Sequence, residues 1–170
     1  MTRTTFIALC FSLCLLGCSN TTRPVVWKSN NVDFSRFRHF DIQPVANATG
    51  HAVMQDILIF LTDSLEQQFL ARNLQLVDDR QTKNETLIVQ SEILKYKFQF
   101  WTGPPPPSGD IIGLCILRTR LLQKTTGLIV GEIITTNRVD VGRGALEPNS
   151  QDSFLLESAG QIATEVARMR

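Results

Sequence analysis

The chain has 170 residues, of which 43% are hydrophobic, and its 17 basic and 16 acidic side chains give a formal net charge of +1. This length supports one domain with a hydrophobic core of ordinary size. The near-zero charge excludes a protein that is drawn to nucleic acid by its overall field, so we expect no nucleic-acid partner.

Residues 1–17 have the pattern of an export signal. Arg3 is the only charged residue among them, and an apolar run from Phe6 to Leu16 follows it. A run of about 11 residues has the length of a signal h-region and is too short to span a bilayer. The run ends in Leu15-Leu16-Gly17-Cys18, which closely resembles the lipobox of bacterial lipoproteins.

The resemblance to the lipobox implies that Cys18 is lipidated. In such lipoproteins the thiol receives a diacylglycerol group, the chain is cleaved before the cysteine, and the new amine is usually acylated. Two or three acyl chains hold a protein firmly, whereas one holds it only marginally. Ser19 follows, where enterobacterial lipoproteins retained in the inner membrane have Asp, so the resemblance implies an outer-membrane anchor with a periplasmic domain. The alternative is an ordinary secretory signal with a chance cysteine.

We expect three segments: a signal peptide at 1–17, the lipidated cysteine with its tether at 18–32, and a single α+β domain at 33–170. The tether is polar, but Val25-Val26-Trp27 within it could dock on the domain. Cys115 is the one cysteine beyond residue 18. It lies in an apolar strand, and because the periplasm is oxidising we expect it to be buried and inert. A lone thiol also excludes a cysteine-based metal site.

The hydrophobic pattern predicts, in chain order, a strand, a helix, a strand, a three-strand meander and a final helix. The predicted strands cover 36–45, 74–78, 85–101, 110–122 and 128–139, and the helices cover 51–73 and the residues from about Asp152 onward. Both helices have one apolar stripe. Amphipathic helices and a mainly antiparallel sheet predict a two-layer α+β sandwich with both helices on one face.

Two short motifs carry a further resemblance. One consists of Leu61, Leu65 and Phe69 followed by Leu74 and Val77. The other is the hairpin from Leu121 to Val130, which matches the pattern L-x-D-x-x-T-G-x-x-[VI] except that Gln123 replaces the Asp. These motifs resemble uncharacterised bacterial lipoprotein domain families. The chain is also distantly similar to lipoproteins of the curli-secretion channel and to auxiliary lipoproteins of envelope lipid transport, which implies a fold and a location rather than a mechanism.

The sequence contains no recognisable catalytic motif. It lacks the serine-hydrolase, zinc-protease and P-loop signatures. His39 and His51 are the only histidines, and we expect both to be solvated. The adjacent carboxylates Asp78 and Asp79 are more typical of a solvated turn than of a cation site. We therefore expect no catalytic residue, no metal, no cofactor and no enzymatic activity.

The hairpin between the two longest strands contains a candidate interface. If Phe100 pairs with Ile112, apolar side chains near the hairpin tip face away from both helices. The candidate interface residues are Tyr96, Phe98, Phe100, Trp101, Ile112 and Leu114. An exposed apolar patch of this kind usually marks an interaction site. The alternative is that Val25, Val26, Trp27 and Phe34 fold back over the patch.

The same sheet face should also contain charge pairs. Nearer the base of the strands, Glu92, Arg118, Arg120 and Glu132 alternate with the apolar positions. Opposite charges on neighbouring strands stabilise a sheet when they lie directly or diagonally across from one another. We expect these four residues to pair across the strands.

These features predict a lipid-anchored, non-enzymatic scaffold or accessory subunit of an envelope assembly, export or transport system. Its partners would be the membrane, through the N-terminal lipid, and a protein partner or a second copy, through the 96–114 hairpin. The alternative is a periplasmic module that binds a lipid or another apolar ligand between the sheet and the helices.

Overall fold

A computed structural model gives the structure of residues 20–77, 85–98, 111–140 and 150–170, with the backbone alone described at 20–21, 111–112, 139–140 and 150. Within these ranges the chain forms one eight-stranded sheet and two α-helices. The strands are β1 (Asn20–Thr21), β2 (Val25–Lys28), β3 (His39–Ile42), β4 (Ala46–Asn47), β5 (Gln75–Leu76), β6 (Thr86–Phe98), β7 (Ile111–Gln123) and β8 (Ile129–Asp140). The helices are α1 (Gln55–Leu70) and α2 (Ser150–Met169).

Helix α1 forms where the apolar stripe predicts it and is shorter at both ends than the predicted 51–73. Every fourth residue of the stripe is buried, at Ile57, Leu61, Leu65 and Phe69. The helix is terminated by Asn73, which has a left-handed φ of 58°, a conformation that Asn tolerates better than most residues. The backbone N–H of Leu74 then donates to the carbonyl of Phe69 at 3.0 Å.

Helix α2 follows the second predicted stripe and begins two residues before the predicted start. Its inward side chains are almost completely buried; they are Leu155, Ala159, Ile162, Val166 and Met169. The helix packs on α1 and on strands β7 and β8. Both helices therefore cover one face of the sheet, and the other face, which we name the outer face, lies away from them.

The sheet and the helices form the predicted two-layer sandwich, and the sheet is mainly antiparallel, as predicted, with parallel pairs among its shorter strands. Strands β6, β7 and β8 form the predicted antiparallel meander. Strand β3 instead runs parallel to both β5 and β6. The reason is topological, since α1 lies between β3 and β5 and a crossover of this kind joins parallel strands.

The segment predicted as a tether belongs to the sheet over its described part. Strand β1 pairs with β8, with Asn20 opposite Arg138. Strand β2 pairs with the same edge of β8, with Val25 opposite Ile134. Between them, the hydroxyl of Thr22 donates to the carbonyl of Thr136 at 2.7 Å. The polar composition suggested a free linker, whereas backbone pairing with the open edge of β8 holds this segment in place.

Candidate interaction surface

Two of the predicted interface residues, Tyr96 and Phe98, lie on the helix side of the sheet. Phe98 stacks on Phe154 of α2, with ring centroids 5.8 Å apart and planes within 7°. Tyr96 also stacks on Phe154 at 6.4 Å, and its hydroxyl accepts a hydrogen bond from the Gln151 side chain at 2.7 Å. Burial raises the pKa of the Tyr96 phenol to about 12. The prediction that these two aromatic residues face away from the helices is therefore wrong.

A β-bulge in β6 explains this placement. Ile93 pairs with Leu117 and Lys95 pairs with Ile116, so Leu94 is an extra residue with no partner of its own. A bulge shifts the alternation of the residues that follow it by one position. Apolar residues at odd positions before Leu94 and at even positions after it consequently point to the same, helix-covered side. The adjacent apolar pair Ile93-Leu94 is the sequence signal for this bulge.

The other predicted interface residues divide into two groups. Leu114 lies on the outer face, half-buried, between Lys97 of β6 and Arg138 of β8. Phe100 and Trp101 fall outside the described residues, and only the backbone of Ile112 is described. An interface at the 96–114 hairpin therefore stays a prediction, and its candidate residues are now Phe100, Trp101, Ile112 and Leu114. Tyr96 and Phe98 do not contribute to a patch on the outer face.

Cys115 is buried, as the apolar strand around it predicts. It lies on the helix side of β7 with 0% of its surface exposed. Burial raises the pKa of its thiol to about 12, because a thiolate would be poorly solvated there. A thiol that is both inaccessible and protonated at neutral pH is a packing residue rather than a nucleophile.

The predicted charge pairs form a row across the outer face. The guanidinium Nε of Arg118 donates to Glu92 Oε1 at 2.7 Å, and Arg120 Nη1 lies 3.5 Å from the same oxygen. Arg120 Nε is in turn 3.6 Å from Glu132 Oε2. The hydrogen bond to Glu92 raises the pKa of Arg118 above its ordinary value. This prediction is confirmed, and the row makes the centre of the outer face polar.

Strand β2 is an exposed apolar edge. Val25, Val26 and Trp27 have exposed fractions of 68%, 39% and 52%. One backbone edge of β2 pairs with β8, and within the described residues no strand pairs with its other edge. Val25 and Trp27 lie opposite outer-face residues of β8, so they extend the outer face to this edge. Strand β2 lies beside residues 131–134 of β8 and Phe34 is in the core, so neither covers Leu114, the predicted interface residue that is described on the outer face.

Two clefts among the described residues lie on the helix side of the molecule. The larger, of about 580 Å³, is bounded by the turn before β2 and by the exposed sides of α1 and α2. Its walls expose more apolar than polar surface, and they combine Pro24 and Leu156 with the charged side chains of Arg72, Glu157 and Arg168. The space between sheet and helices is filled instead by core side chains such as Phe40, whose ring meets Phe69 edge-on at 5.4 Å. This packing gives no support to an apolar ligand between the two layers.

The part of the chain that the structure describes contains neither a metal-binding cluster nor a membrane-spanning helix. No group of three or more His, Cys, Asp or Glu side chains there is arranged to hold a metal ion. Neither of the described helices has the length and hydropathy needed to cross a bilayer. The main surface features of the described residues are the β2 edge, the outer face with its row of charges, and the cleft between the helices and the turn before β2.

Comparison with solved structures finds the same fold in proteins of low sequence identity. PelC from Paraburkholderia phytofirmans, solved as a dodecamer, is 11% identical, with a TM-score of 0.56 over 85% of this chain and 97% of PelC. A DUF4136 family protein from Bacteroides thetaiotaomicron is 13% identical, with a TM-score of 0.51 over 87% of this chain and 96% of that protein. A DUF330 protein from Xanthomonas campestris is 11% identical, with a TM-score of 0.50 over 86% and 90%.

These similarities establish the architecture and no more. No protein-family model matches the sequence, and comparison with curated proteins finds no relative. The predicted resemblance to uncharacterised domain families is supported at the level of the fold, by the DUF4136 and DUF330 structures.

Proposed function

We propose that this chain is a lipid-anchored, non-enzymatic protein of the bacterial envelope that acts as a scaffold or accessory subunit by associating with further copies of itself. Its anchor is Cys18, its membrane is the outer membrane, and its domain faces the periplasm. The assembly would belong to an export, transport or envelope-building system. The lipobox-like sequence Leu15-Leu16-Gly17-Cys18 supports the anchor.

The observation that carries self-association is the exposed apolar edge at β2. A sheet edge presents unpaired N–H and C=O groups, and proteins commonly protect such edges with charged residues or Pro. At β2 three of the four exposed residues are apolar, namely Val25, Val26 and Trp27, and the fourth is Lys28 at the end of the strand. Apolar side chains beside open backbone groups favour strand addition, in which backbone hydrogen bonds supply affinity and side chains supply specificity.

A second copy of this chain is the partner that fits best. Two identical edges can pair antiparallel about a two-fold axis, and one edge can also meet a different surface of the next copy to close a ring. The dodecamer of PelC, which shares this fold at 11% identity, supports self-association as the mode of assembly. The proposal needs no catalytic group and no ligand in the core.

The anchor is tested by the substitution Cys18→Ser. We expect the variant to stay uncleaved and to incorporate no labelled fatty acid, because the oxygen of Ser does not replace the thiol in lipoprotein acylation. The mass of the wild-type protein should exceed that of residues 18–170 by two or three acyl groups with their glycerol. A wild-type protein of unmodified mass, or a Ser variant that is processed as before, would refute the anchor.

Self-association is tested by the double variant Val25→Ser with Trp27→Ser. The detergent-extracted wild type should be a discrete oligomer by light scattering after gel filtration, and the variant should be a monomer with a melting temperature close to that of the wild type. A matched control is Ile59→Ser with Leu70→Ser, because those side chains on α1 are 50% and 57% exposed. Equal oligomer fractions in both variants would rule out the β2 edge as the interface, and a monomeric wild type would rule out self-association.

A further inference from the structure

Strand β1 brings the proposed lipid anchor to one end of the sheet. Asn20 pairs with Arg138 and Thr21 with Asn137, near the end of β8. Cys18 precedes Asn20 by two residues. Two residues of extended chain span at most about 7 Å. An anchor on so short a connection holds this end of the domain at the membrane surface.

The same end carries two exposed lysines on the outer face. Asn20, Arg138, Leu114 and Lys97 lie opposite one another on β1, β8, β7 and β6. Neighbouring strands are about 4.8 Å apart, so the Cα atom of Lys97 is about 14 Å from that of Asn20. Lys95 lies one row behind Lys97 and is also exposed. We name Lys95 and Lys97 the anchor-end lysines.

The bulge at Leu94 puts these lysines on the outer face. Tyr96 and Phe98 face α2, so Lys95 and Lys97, which alternate with them, point to the opposite side. The acidic side chain of Asp152 is at the same end but belongs to α2, on the helix side of the sheet. The outer face at the anchor end is therefore basic over its described residues.

The opposite end of the sheet is far from the anchor. Ile129 begins β8 nine residues before Arg138, a separation of about 30 Å at about 3.4 Å per residue. Lys28, which is exposed, pairs with Gly131 and is about 24 Å along the strand from Arg138. The chain thus contains exposed lysines both close to the anchor and far from it.

We propose that the anchor-end lysines bind the anionic headgroups of the leaflet that holds the lipid on Cys18, so that the β6–β7 end of the sheet lies on the membrane. A basic residue beside an anionic membrane strengthens binding by about fivefold. Since the lipid already holds the chain at the surface, the lysines select its orientation. This inference rests on the lipid anchor of the proposed function and is independent of self-association.

The chemical reactivity of each lysine in the wild-type protein reports whether that lysine lies at the membrane. Purified protein, with its acylation verified by mass, is reconstituted into vesicles of phosphatidylcholine alone or of equal parts phosphatidylcholine and phosphatidylglycerol. Acetylation by an amine-reactive reagent is then followed residue by residue by mass spectrometry. We expect Lys95 and Lys97 to react about fivefold or more slowly in the anionic vesicles than in the neutral ones. Lys28 should react equally in both, and added salt should remove the difference.

Two variants separate orientation from general charge. Lys95→Gln with Lys97→Gln should abolish the response of vesicle-bound protein to phosphatidylglycerol, measured as quenching of Trp fluorescence by headgroup-labelled lipid. Lys28→Gln should leave that response unchanged. Equal protection of all three lysines, or stronger protection of Lys28, overturns the inference while leaving the anchor intact. An unacylated wild-type mass overturns the anchor and the inference together.

Discussion

The stack of Phe98 on Phe154 can be tested by a double-mutant cycle. Phe154 is 2% exposed, and replacing a buried Phe with Ala lowers the free energy of unfolding by about 3–5 kcal/mol. Phe98 is half-buried, so Phe98→Ala should lower it by roughly half as much. With ring centroids 5.8 Å apart and nearly parallel planes, the pair should show a coupling energy of about 0.5–1.5 kcal/mol.

Leu114 supplies the matched control for this cycle. It lies on the outer face beside Lys97, with the sheet between it and Phe154. Leu114→Ala and Phe154→Ala should therefore be additive within about 0.5 kcal/mol. The assay is urea unfolding followed by circular dichroism, on residues 18–170 carrying Cys18→Ser so that acylation does not interfere. Additivity of Phe98 with Phe154, or coupling of Leu114 to Phe154, would show that the bulge and the face assigned to Phe98 are wrong.

Three further predictions concern individual side chains. Cys115 should react with a maleimide at neutral pH only after unfolding, because it is buried and its thiol has a pKa of about 12; rapid labelling of folded protein would contradict this. Tyr96 is the only tyrosine, so absorbance at 295 nm should report its ionisation near pH 12 when folded and near pH 10 in urea. The protonated phenol stabilises the folded state fully below about pH 10, and this contribution is lost as the pH rises to about 12. Equal ionisation midpoints for the folded and the unfolded protein would disprove the raised pKa. Glu92→Gln should lower the free energy of unfolding by about 1 kcal/mol, and less in high salt, because Arg118 and Arg120 lose a shared partner at a partly exposed site.

Local patterns predicted both helices, the strands β3 and β5 to β8, and most of the core. The four-residue spacing of Ile57, Leu61, Leu65 and Phe69 specifies which side of α1 is buried, whatever that side packs against. The alternation of apolar and polar residues likewise assigned Glu92 and Arg118 to the outer face. These predictions succeed because helix and strand periodicity are properties of a single segment.

Features that depend on pairing between segments were predicted poorly. The bulge at Leu94 places Tyr96 and Phe98 on the helix side. The switch of the apolar residues from odd to even positions is visible in the sequence, but alternation alone does not tell a bulge from a change of the apolar face. Strands β1 and β2 are short, and they form because β8 offers an open edge. The apolar run Val25-Val26-Trp27 indicated contact with the domain, but residues 20–28 alone do not show which strand they pair with. Strand β3 runs parallel to β5 because helix α1 connects them by a crossover. The direction of a strand in the sheet therefore depends on the connecting helix as well as on the residues of the strand.

The bulge also determines which genetic changes this strand can absorb. Leu94 has no partner on β7, so the pairing of β6 with β7 does not need a residue at this position. Loss of that one codon would join Ile93 directly to Lys95 and restore regular pairing with Leu117 and Ile116. Lys95 and Lys97 would stay on the outer face, and Tyr96 and Phe98 would still face α2. A deletion within a regular part of the strand would instead turn the neighbouring side chains to the opposite face. The bulge is therefore a position at which the gene can lose a residue with little effect on the arrangement of the side chains around it.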